Sequence, residues 1–277
     1  MRKATYHLHT TWCDGTASPA QMLQAAIERG FTDIAFTAHA AWPFATEWHL
    51  PVKAYQRYRQ EIDTLALKAP IRVFTGFEAD FIDGITAPDY SIYRTFGAQL
   101  LIGSVHYVPG EGATPWSVDG PAEEVAAGIT NSFAGNAEQA VRAYWACVRK
   151  MIEVTDADII GHLDIIRKRN QTLAFFDEDA PWYKEEEEKT VECIAKTDKV
   201  VEINTGGIAR KAIDDVYPST RLLTLLCQAG VKITLSSDAH TAEDLDTGYE
   251  KARQSALKAG FTGLWFFEGD GWTQEAL

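Results

Sequence analysis

The sequence predicts an α/β fold in which about seven parallel strands close into a single barrel with helices on the outside. Short β-type runs alternate with amphipathic helical runs along the chain, the pattern of a parallel sheet with crossover helices. That many repeats in 277 residues favour one closed barrel over two open sheets. No low-complexity linker divides the chain, so we expect residues 1–277 to form one domain.

The predicted strands are short runs rich in β-branched and other apolar residues. They are Ala4–His7, Asp33–Thr37, Arg72–Glu78, Leu100–Val105, Ile159–His162, Val200–Asn204 and Lys232–Ser236. An eighth apolar run, Leu264–Phe267, lies near the C-terminus. The segment Tyr107–Ser117 is rich in Gly and Pro and is predicted to be a long loop at the functional face of the barrel.

The predicted helices have apolar residues at helical spacing, with start and stop signals at their ends. They are Pro19–Arg29, Val52–Leu67, Pro121–Gly128, Ala137–Val154, Trp182–Thr197, Thr220–Ala229 and Ala242–Ala259. Ser18 before Pro19 is a typical N-cap, and Gly30 and Gly260 follow periodic stretches as stop signals. The run Glu185–Glu188 is predicted to be a solvated helix face.

Composition limits the classes of partner and compartment. A net charge of −13 argues against binding to a nucleic-acid backbone, but a small anionic substrate remains possible. The cysteines at 13, 147, 193 and 227 match no zinc ribbon and no CxxC pair, so we expect reduced thiols and a cytoplasmic protein. Neither a signal peptide nor an apolar run of the ~18–20 residues needed for a membrane helix is visible. Monomer and homo-oligomer both remain open.

The placement of the histidines is the main evidence for function. Six of the seven lie at or just past the ends of predicted strands: His7, His9, His39, His106, His162 and His240. In a parallel barrel those ends meet on one face. A single histidine there would most simply be structural, but six together indicate a metal site, because neutral imidazole is a common ligand of zinc and similar ions. The seventh, His49, lies in an aromatic loop and is predicted to have a packing role.

Carboxylates accompany the histidines at the same strand ends. Asp14 lies in the loop after the first strand, and Glu78 ends the third. Asp238 and His240 are two residues apart, a spacing that points both side chains to the same side of a strand. Glu78 would be a costly buried charge unless it were paired or metal-bound, and one such carboxylate can bridge two ions about 3.5–4 Å apart.

These motifs occur in a specific order along the chain. They are H-L-H-T at 7–10, the lone His39, Glu78, G-S-V-H at 103–106, G-H-L-D at 161–164 and S-S-D-A-H at 236–240. As a set they resemble the polymerase and histidinol phosphatase (PHP) superfamily, and the match runs from Tyr6 to His240. The resemblance implies a distorted, TIM-like (βα)7 barrel and a cluster of three divalent ions of zinc, iron or manganese.

The resemblance also implies how the ligands are divided among the ions. The groups are His7, His9, Glu78 and Asp238 for the first ion, Glu78, His106 and His162 for the second, and Asp14, His39 and His240 for the third. The chain departs from many members at one position, because Ala38 stands where they have an acid before the second-strand histidine. That acid could orient a ligand, so its replacement bears on the occupancy of the third site.

Within the superfamily the chain most resembles the monofunctional histidinol-phosphate phosphatases. It has the size of a free-standing domain, and the stretches G-H-L-D-I-I-R-K-R and E-I-N-T-G-G-I-A-R-K bring basic residues near the site. Arg167, Arg210 and Lys211 are the predicted phosphate ligands, because an arginine fork can hold two phosphate oxygens. The expected partner is a small phosphorylated substrate, L-histidinol phosphate, which is hydrolysed to L-histidinol and phosphate in histidine biosynthesis.

The expected mechanism is attack on phosphorus by a metal-activated hydroxide, without a covalent enzyme intermediate. Arg210 would neutralise phosphoryl charge, and Asp238 or His240 would protonate the leaving alkoxide. Three alternatives remain: a PHP phosphoesterase acting on nucleotides or other small esters, a non-catalytic metal-binding PHP module, and, less favoured, an amidohydrolase acting on C–N or C–O bonds.

Overall fold

The structure, a computed structural model, describes residues 2–111 and 114–277. Its strands in chain order are β1 Ala4–Thr5, β2 Asp33–Ala40, β3 Arg72–Asp80, β4 Leu100–Ser104, β5 Tyr107–Val108, β6 Trp116–Ser117, β7 Ile159–Ile160, β8 Val200–Asn204, β9 Lys232–Ser236, β10 Gly263–Phe267 and β11 Trp272–Ala276. Seven of them form one parallel sheet in the order β1-β2-β3-β4-β7-β8-β9. The predicted parallel α/β architecture is confirmed.

The helices lie outside the sheet. They are α1 Pro19–Glu28, α2 Tyr55–Ala66, α3 Ser91–Thr95, α4 Ala122–Ser132, α5 Ala137–Val154, α6 Asn170–Leu173, α7 Pro181–Ile194, α8 Gly206–Ala209, α9 Thr220–Gln228 and α10 Tyr249–Ala259. Ser18 and Gln21 form a capping box at α1, and the Asn136 side chain caps α5. Within the part of the chain described, no helix is both long and apolar enough to cross a membrane.

The sheet curls until its two edge strands meet, which makes it a nearly closed barrel. A parallel bridge joins Leu8, just after β1, to Ala239, just after β9. The hydroxyls of Thr5 and Ser237 are hydrogen-bonded at 3.0 Å across the same seam. Because all seven strands are parallel, their carboxyl ends share one rim, and the side chains that follow each strand converge there.

The opposite end of the barrel is covered by an antiparallel hairpin of β10 and β11. The eighth apolar run therefore forms a strand, but one outside the barrel sheet. The backbone N–H of Phe267 in β10 donates to the Tyr6 hydroxyl at 2.9 Å, and the ring of Trp272 meets Tyr6 edge-on. Arg2 pairs with both Asp33 and Glu268, which ties the hairpin to the start of β2.

Three local predictions are corrected. The last helix begins at Tyr249 and not at Ala242, because Gly248 has a positive φ of 80° and the preceding residues form turns. The run Glu185–Glu188 is not wholly solvated, since Glu186 and Glu187 are buried against arginines of neighbouring helices. The segment Tyr107–Ser117 is a loop as predicted, but its ends pair as β5 and β6, and residues 112–113 lie outside the described part.

Candidate metal centre

All nine predicted metal ligands meet at the carboxyl rim of the barrel. Their donor atoms form four overlapping groups, each within 4.8 Å: His9, Asp14, His39 and His240; His7, His162 and Asp238; His7, His9 and Glu78; and His39, Glu78 and His106. The β2–β3 register places His39 directly beside Glu78. The other ligands come from residues just after β1, β4, β7 and β9, so six strand ends, including the paired ends of β2 and β3, supply the cluster.

Glu78 is the centre of the cluster and is fully buried. Its Oε1 lies 2.9 Å from His162 Nε2 and 3.5 Å from His106 Nε2. Its Oε2 lies 2.8 Å from His39 Nδ1 and 3.0 Å from His7 Nε2. Its Oε2 also lies 3.4 Å from His9 Nε2, so the two carboxylate oxygens face different sets of imidazoles, an arrangement suited to bridging two ions.

Asp238 connects the cluster to a guanidinium. Its Oδ1 faces the Nε2 atoms of His9 and His7 at 3.2 and 3.8 Å. Its Oδ2 accepts a hydrogen bond from Arg210 Nη2 at 2.7 Å. Asp238 adopts a positive φ of 52°, which is strained for a residue with a side chain and is typical of functional positions.

The outer part of the cluster is the most accessible. His240 Nε2 lies 3.1 Å from Asp14 Oδ2, and His39 Nε2 lies 3.7 Å from the same oxygen. The ring of His9 stacks between those of His39 and His240, with centroid separations of 4.2 and 4.1 Å. Asp14 also approaches His9 Nδ1 at 3.6 Å, so all four side chains surround one position.

Several of the donor atoms lack hydrogen-bond partners within the protein, which suits them to binding divalent ions. Within residues 2–111 and 114–277, His7 Nε2, His9 Nε2, His39 Nδ1 and Glu78 Oε2 are buried without a hydrogen bond of acceptable geometry. Buried polar atoms rarely lack a hydrogen-bond partner. Several such atoms that converge on one position can bind a metal ion there. Imidazole nitrogen and carboxylate oxygen suit zinc, iron or manganese.

The electrostatics keep the central acid ionised. Burial alone would raise the pKa of Glu78, but His39 and His7 outweigh it and hold that pKa well below its ordinary value. In His9, burial together with the charges of His240 and His39 lowers the imidazole pKa to about 3. Carboxylate and neutral imidazole are the protonation states in which these residues bind metal.

Two buried acids behind the ligands were missed by the sequence analysis. Glu202 on β8 lies 3.0 Å from His7 Nδ1 and accepts the backbone N–H of His162 at 2.8 Å. Asp80 on β3 lies 2.5 Å from His106 Nδ1. An available signal was strand alternation, since Asp80 follows Glu78 by two residues and so faces the same side. Such partners orient ligand rings and set which nitrogen faces the metal.

The three predicted phosphate ligands have different positions. Arg210 lines the cleft above the cluster. Arg167 does not, because its guanidinium is buried in pairs with Asp164, Glu178 and Asp215, and the prediction for this residue is wrong. Lys211 is exposed beyond α8 and is not among the residues that line the cleft, so its role as a phosphate ligand stays a prediction.

Other basic side chains line the cleft instead. Lys168 and Arg169, the two residues after Arg167, both line it. Lys168 Nζ pairs with Asp119 at 2.7 Å, and Arg169 Nε donates to the Gly120 carbonyl at 2.6 Å. These contacts hold the loop between β6 and α4 against the turn after β7. Aromatic and acidic residues complete the walls: Trp48, Tyr107, Asp119 and Glu124.

Fold and site together define a parallel βα barrel with a multi-histidine centre of the metallohydrolase type. The PHP domain family model matches residues 5–206, so the chain belongs to the PHP family. A relative from Deinococcus radiodurans, named a probable histidinol-phosphatase, is 30% identical over 239 residues, which cover 84% of this chain and 85% of the relative.

Two solved structures share the whole fold. A protein from Listeria monocytogenes, described as a candidate histidinol phosphatase, superposes with a TM-score of 0.80 at 24% identity and covers 90% of this chain and 99% of its own. Histidinol phosphate phosphatase from Lactococcus lactis, complexed with zinc, L-histidinol and phosphate, has a TM-score of 0.71 at 24% identity and covers 98% and 99%. The predicted barrel of PHP type is therefore confirmed.

Proposed function

We propose that this chain is a metal-dependent phosphomonoesterase that hydrolyses L-histidinol phosphate to L-histidinol and phosphate. The observation that carries this proposal is a complete set of nine histidine and carboxylate donors at the base of a cleft lined by both cations and acids. The name of the D. radiodurans relative and the zinc, histidinol and phosphate bound by the L. lactis protein support the same chemistry.

The nine donors would hold three divalent ions. Glu78 would bridge two of them, with His7, His9 and Asp238 on one side and His106 and His162 on the other; Asp14, His39 and His240, joined by His9, surround the third position. When bound, such ions supply positive charge to the phosphoryl oxygens and lower the pKa of a water that attacks phosphorus. Zinc, iron and manganese all suit these donors.

Arg210 is the protein group best placed to orient the phosphate. Its Nη1 and Nη2 donate to the carbonyl and the carboxylate of Asp238, and the residue lines the cleft. A guanidinium held in this way is preorganised to neutralise charge on phosphoryl oxygens without rearranging. Lys168 and Arg169 add positive charge to the same cleft.

Asp238 and His240 are the two candidates for proton transfer. Arg210 and the histidines around Asp238 outweigh its burial and hold its pKa well below the ordinary value, so it stays a carboxylate and is poorly suited to carry the proton. His240 faces the cleft and lies closer to solvent, which makes its ring the better candidate to pass a proton to the leaving alkoxide. No covalent intermediate on the protein is required.

The acids of the cleft suit the rest of the substrate. Histidinol phosphate carries an ammonium group close to its phosphate ester, and Asp119 lies in the same cleft as the metal ligands. The charges of Lys168 and His106 outweigh burial and keep the pKa of Asp119 below its ordinary value, so it stays a carboxylate. The faces of Trp48 and Tyr107 offer an apolar wall for the imidazole.

The test is steady-state kinetics on the purified protein with zinc, manganese or iron(II), using histidinol phosphate, p-nitrophenyl phosphate and nucleoside monophosphates. The proposal expects histidinol phosphate to have the highest kcat/KM by a wide margin. Chelation should abolish hydrolysis, and added metal should restore it. A clear preference for a nucleotide would favour the alternative PHP phosphoesterase, and turnover of no ester by fully metal-loaded protein would favour the non-catalytic module.

We propose one domain over residues 1–277, supported by the packing of the C-terminal hairpin on Tyr6 at the barrel end. A cytoplasmic location is supported by four free cysteines and by the biosynthetic role proposed for the enzyme. Monomeric and homo-oligomeric states remain alternatives.

A further inference from the structure

Asp80 stands between two imidazoles and has no exposed surface. Its Oδ1 lies 2.5 Å from Nδ1 of the predicted metal ligand His106, and its Oδ2 lies 2.7 Å from Nε2 of His49. His49 is 2% exposed and is the only histidine outside the predicted ligand set. One buried carboxylate therefore joins a metal ligand to a residue of the loop that follows β2.

The hydrogen bonds around His49 have a defined direction. The backbone N–H of Thr46 donates to His49 Nδ1 at 3.0 Å, and a backbone amide can only donate. Nδ1 must therefore be an acceptor, so the proton of the His49 ring sits on Nε2 and points at Asp80. The Thr46 hydroxyl lies 2.8 Å from the same Nδ1 and can donate to it as well.

Asp80 in turn determines the tautomer and orientation of the His106 ring. A carboxylate accepts from Nδ1–H of His106, so the lone pair of the neutral ring, the form that binds metal, lies on Nε2. That nitrogen faces His162 Nε2 at 3.2 Å and Glu78 Oε1 at 3.5 Å, the position assigned above to the second ion. Carboxylate–imidazole pairs of this kind commonly fix the tautomer and orientation of a metal-binding histidine.

The same histidine also supports a wall of the cleft. The indole of Trp48 stacks on the His49 ring, with centroids 3.8 Å apart and planes 26° apart. On its other sides Trp48 meets His39 and His106 edge-on and lies nearly parallel to Tyr107. A role in packing was expected for His49, but the structure shows a ring that both packs against Trp48 and donates to Asp80.

We propose that His49 and Asp80 are a pair of positioning residues that couple the substrate-facing Trp48 to the orientation of the metal ligand His106. His49 has two separable tasks. Its Nε2–H holds Asp80, and through it His106, whereas its ring face supports Trp48. The predicted effect on metal binding is independent of the function proposed above, whereas the predicted effect on substrate binding through Trp48 rests on that function.

Two substitutions separate the tasks. His49→Phe keeps a ring beneath Trp48 but removes the donor to Asp80, so we expect the ion held by Glu78, His106 and His162 to bind about 10-fold more weakly. The visible absorption spectrum of the cobalt(II)-substituted protein should change, while KM at saturating metal stays near that of the wild type. His49→Gln can keep an N–H toward Asp80 but lacks the ring, so metal affinity and spectrum should be retained and KM should rise several-fold.

The measurements are cobalt(II) titration against a competing chelator, the cobalt spectrum, and kcat and KM for histidinol phosphate. Asp80→Asn should weaken cobalt binding at least as much as His49→Phe, and Asp83→Asn, which removes an exposed acid paired with Lys150, serves as the matched control. Because Asp80→Asn places an amide against an imidazole and can fail to fold, His49→Phe decides the metal effect alone.

Wild-type cobalt affinity and spectrum in folded His49→Phe would overturn the proposal. So would equal loss of cobalt affinity in His49→Phe and His49→Gln, because the ring and the donor would then not be separable. Failure of the proposed function gives a different result: the wild type would not hydrolyse histidinol phosphate, but the cobalt titrations would still distinguish the two variants.

Discussion

Arg210 binds Asp238 with two donors: Nη2 reaches the Oδ2 carboxylate oxygen at 2.7 Å, and Nη1 reaches the backbone carbonyl at 3.0 Å. The backbone contact helps to hold Asp238 in its positive-φ conformation, and the side-chain contact directs Oδ1 toward the histidines. Arg210 therefore acts on the ion cluster through Asp238 as well as on the phosphate. Such a double role predicts a larger effect on turnover than loss of a single phosphate contact.

The first prediction concerns Arg210→Met, which keeps much of the side-chain volume but removes every donor. We expect kcat/KM for histidinol phosphate to fall by roughly 10²- to 10³-fold, because transition-state charge loses a preorganised donor. Arg210→Lys should recover only part of the activity, since an ammonium cannot reproduce the fork. Steady-state kinetics check this, with the exposed Arg59→Met as control. Full activity of Arg210→Met would contradict the role.

The second prediction concerns the pH dependence of metal affinity. Burial opposes protonation of His106, but Asp80 and Glu78 outweigh it and raise the pKa of this ring to about 10 in the ion-free protein. Below that pKa an incoming ion must displace the proton. Affinity for zinc should therefore rise as pH increases from about 6.5 to 8.5, roughly tenfold per pH unit for each proton displaced. Chelator competition across this range measures it, and a flat profile would contradict the assignment.

The ligand cluster could be predicted from sequence because the position of each ligand depends on the strand next to it in the chain. Each ligand lies near or just after the end of a strand, and parallel strands of a barrel must bring their carboxyl ends to one rim. The strands Val200–Asn204 and Lys232–Ser236 were predicted with the bounds that the structure shows. Strand alternation does not explain the orientation of Asp238, because this residue lies just after β9 and has a positive φ.

What the sequence analysis missed depends on partners that are distant in the chain. Arg167 follows a ligand motif, yet its guanidinium turns to Glu178 and Asp215 and away from the cleft. The bond between His49 and Asp80 spans 31 residues and joins a loop to a strand end. Hydrophobic periodicity reports which face of an element is buried, but it does not report which charge lies opposite.

The third prediction tests substrate recognition at Asp119. If its carboxylate binds the ammonium group of the substrate, Asp119→Asn should reduce kcat/KM for histidinol phosphate about 10- to 100-fold, the range of one charge-assisted hydrogen bond. Hydrolysis of p-nitrophenyl phosphate, which has no cation, should change little. The ratio of kcat/KM for histidinol phosphate to kcat/KM for p-nitrophenyl phosphate, compared between the wild type and the variant, tests this recognition.

Lys168→Met is the matched control for this prediction, because Lys168 pairs with Asp119 at 2.7 Å. If Asp119 served only to hold Lys168 in place, the two variants would lose activity in parallel and on both esters. If Asp119 binds the substrate cation, Lys168→Met should retain the preference for histidinol phosphate. A loss on both esters in Asp119→Asn would therefore contradict direct recognition.

The fourth prediction concerns stability and the buried part of the acidic run on α7. Burial raises the pKa of Glu187 to about 7 despite its contact with Arg221 at 2.8 Å. An acid whose pKa is raised in the folded state binds its proton more tightly there than in the unfolded chain. Its contribution to stability is therefore present at low pH and is lost as pH rises from about 4.5 to 7.

Glu187→Gln removes this titration and should flatten the pH profile of stability. Relative to the wild type, we expect the variant to gain on the order of 2 kcal/mol of unfolding free energy between about pH 5 and pH 8. Urea unfolding of both proteins at the two pH values measures the difference. Glu185→Gln, two residues earlier and paired with Lys189 on the exposed face, should show no such change with pH. Equal profiles for the wild type and Glu187→Gln would mean that Arg221 fully offsets the cost of burying this carboxylate.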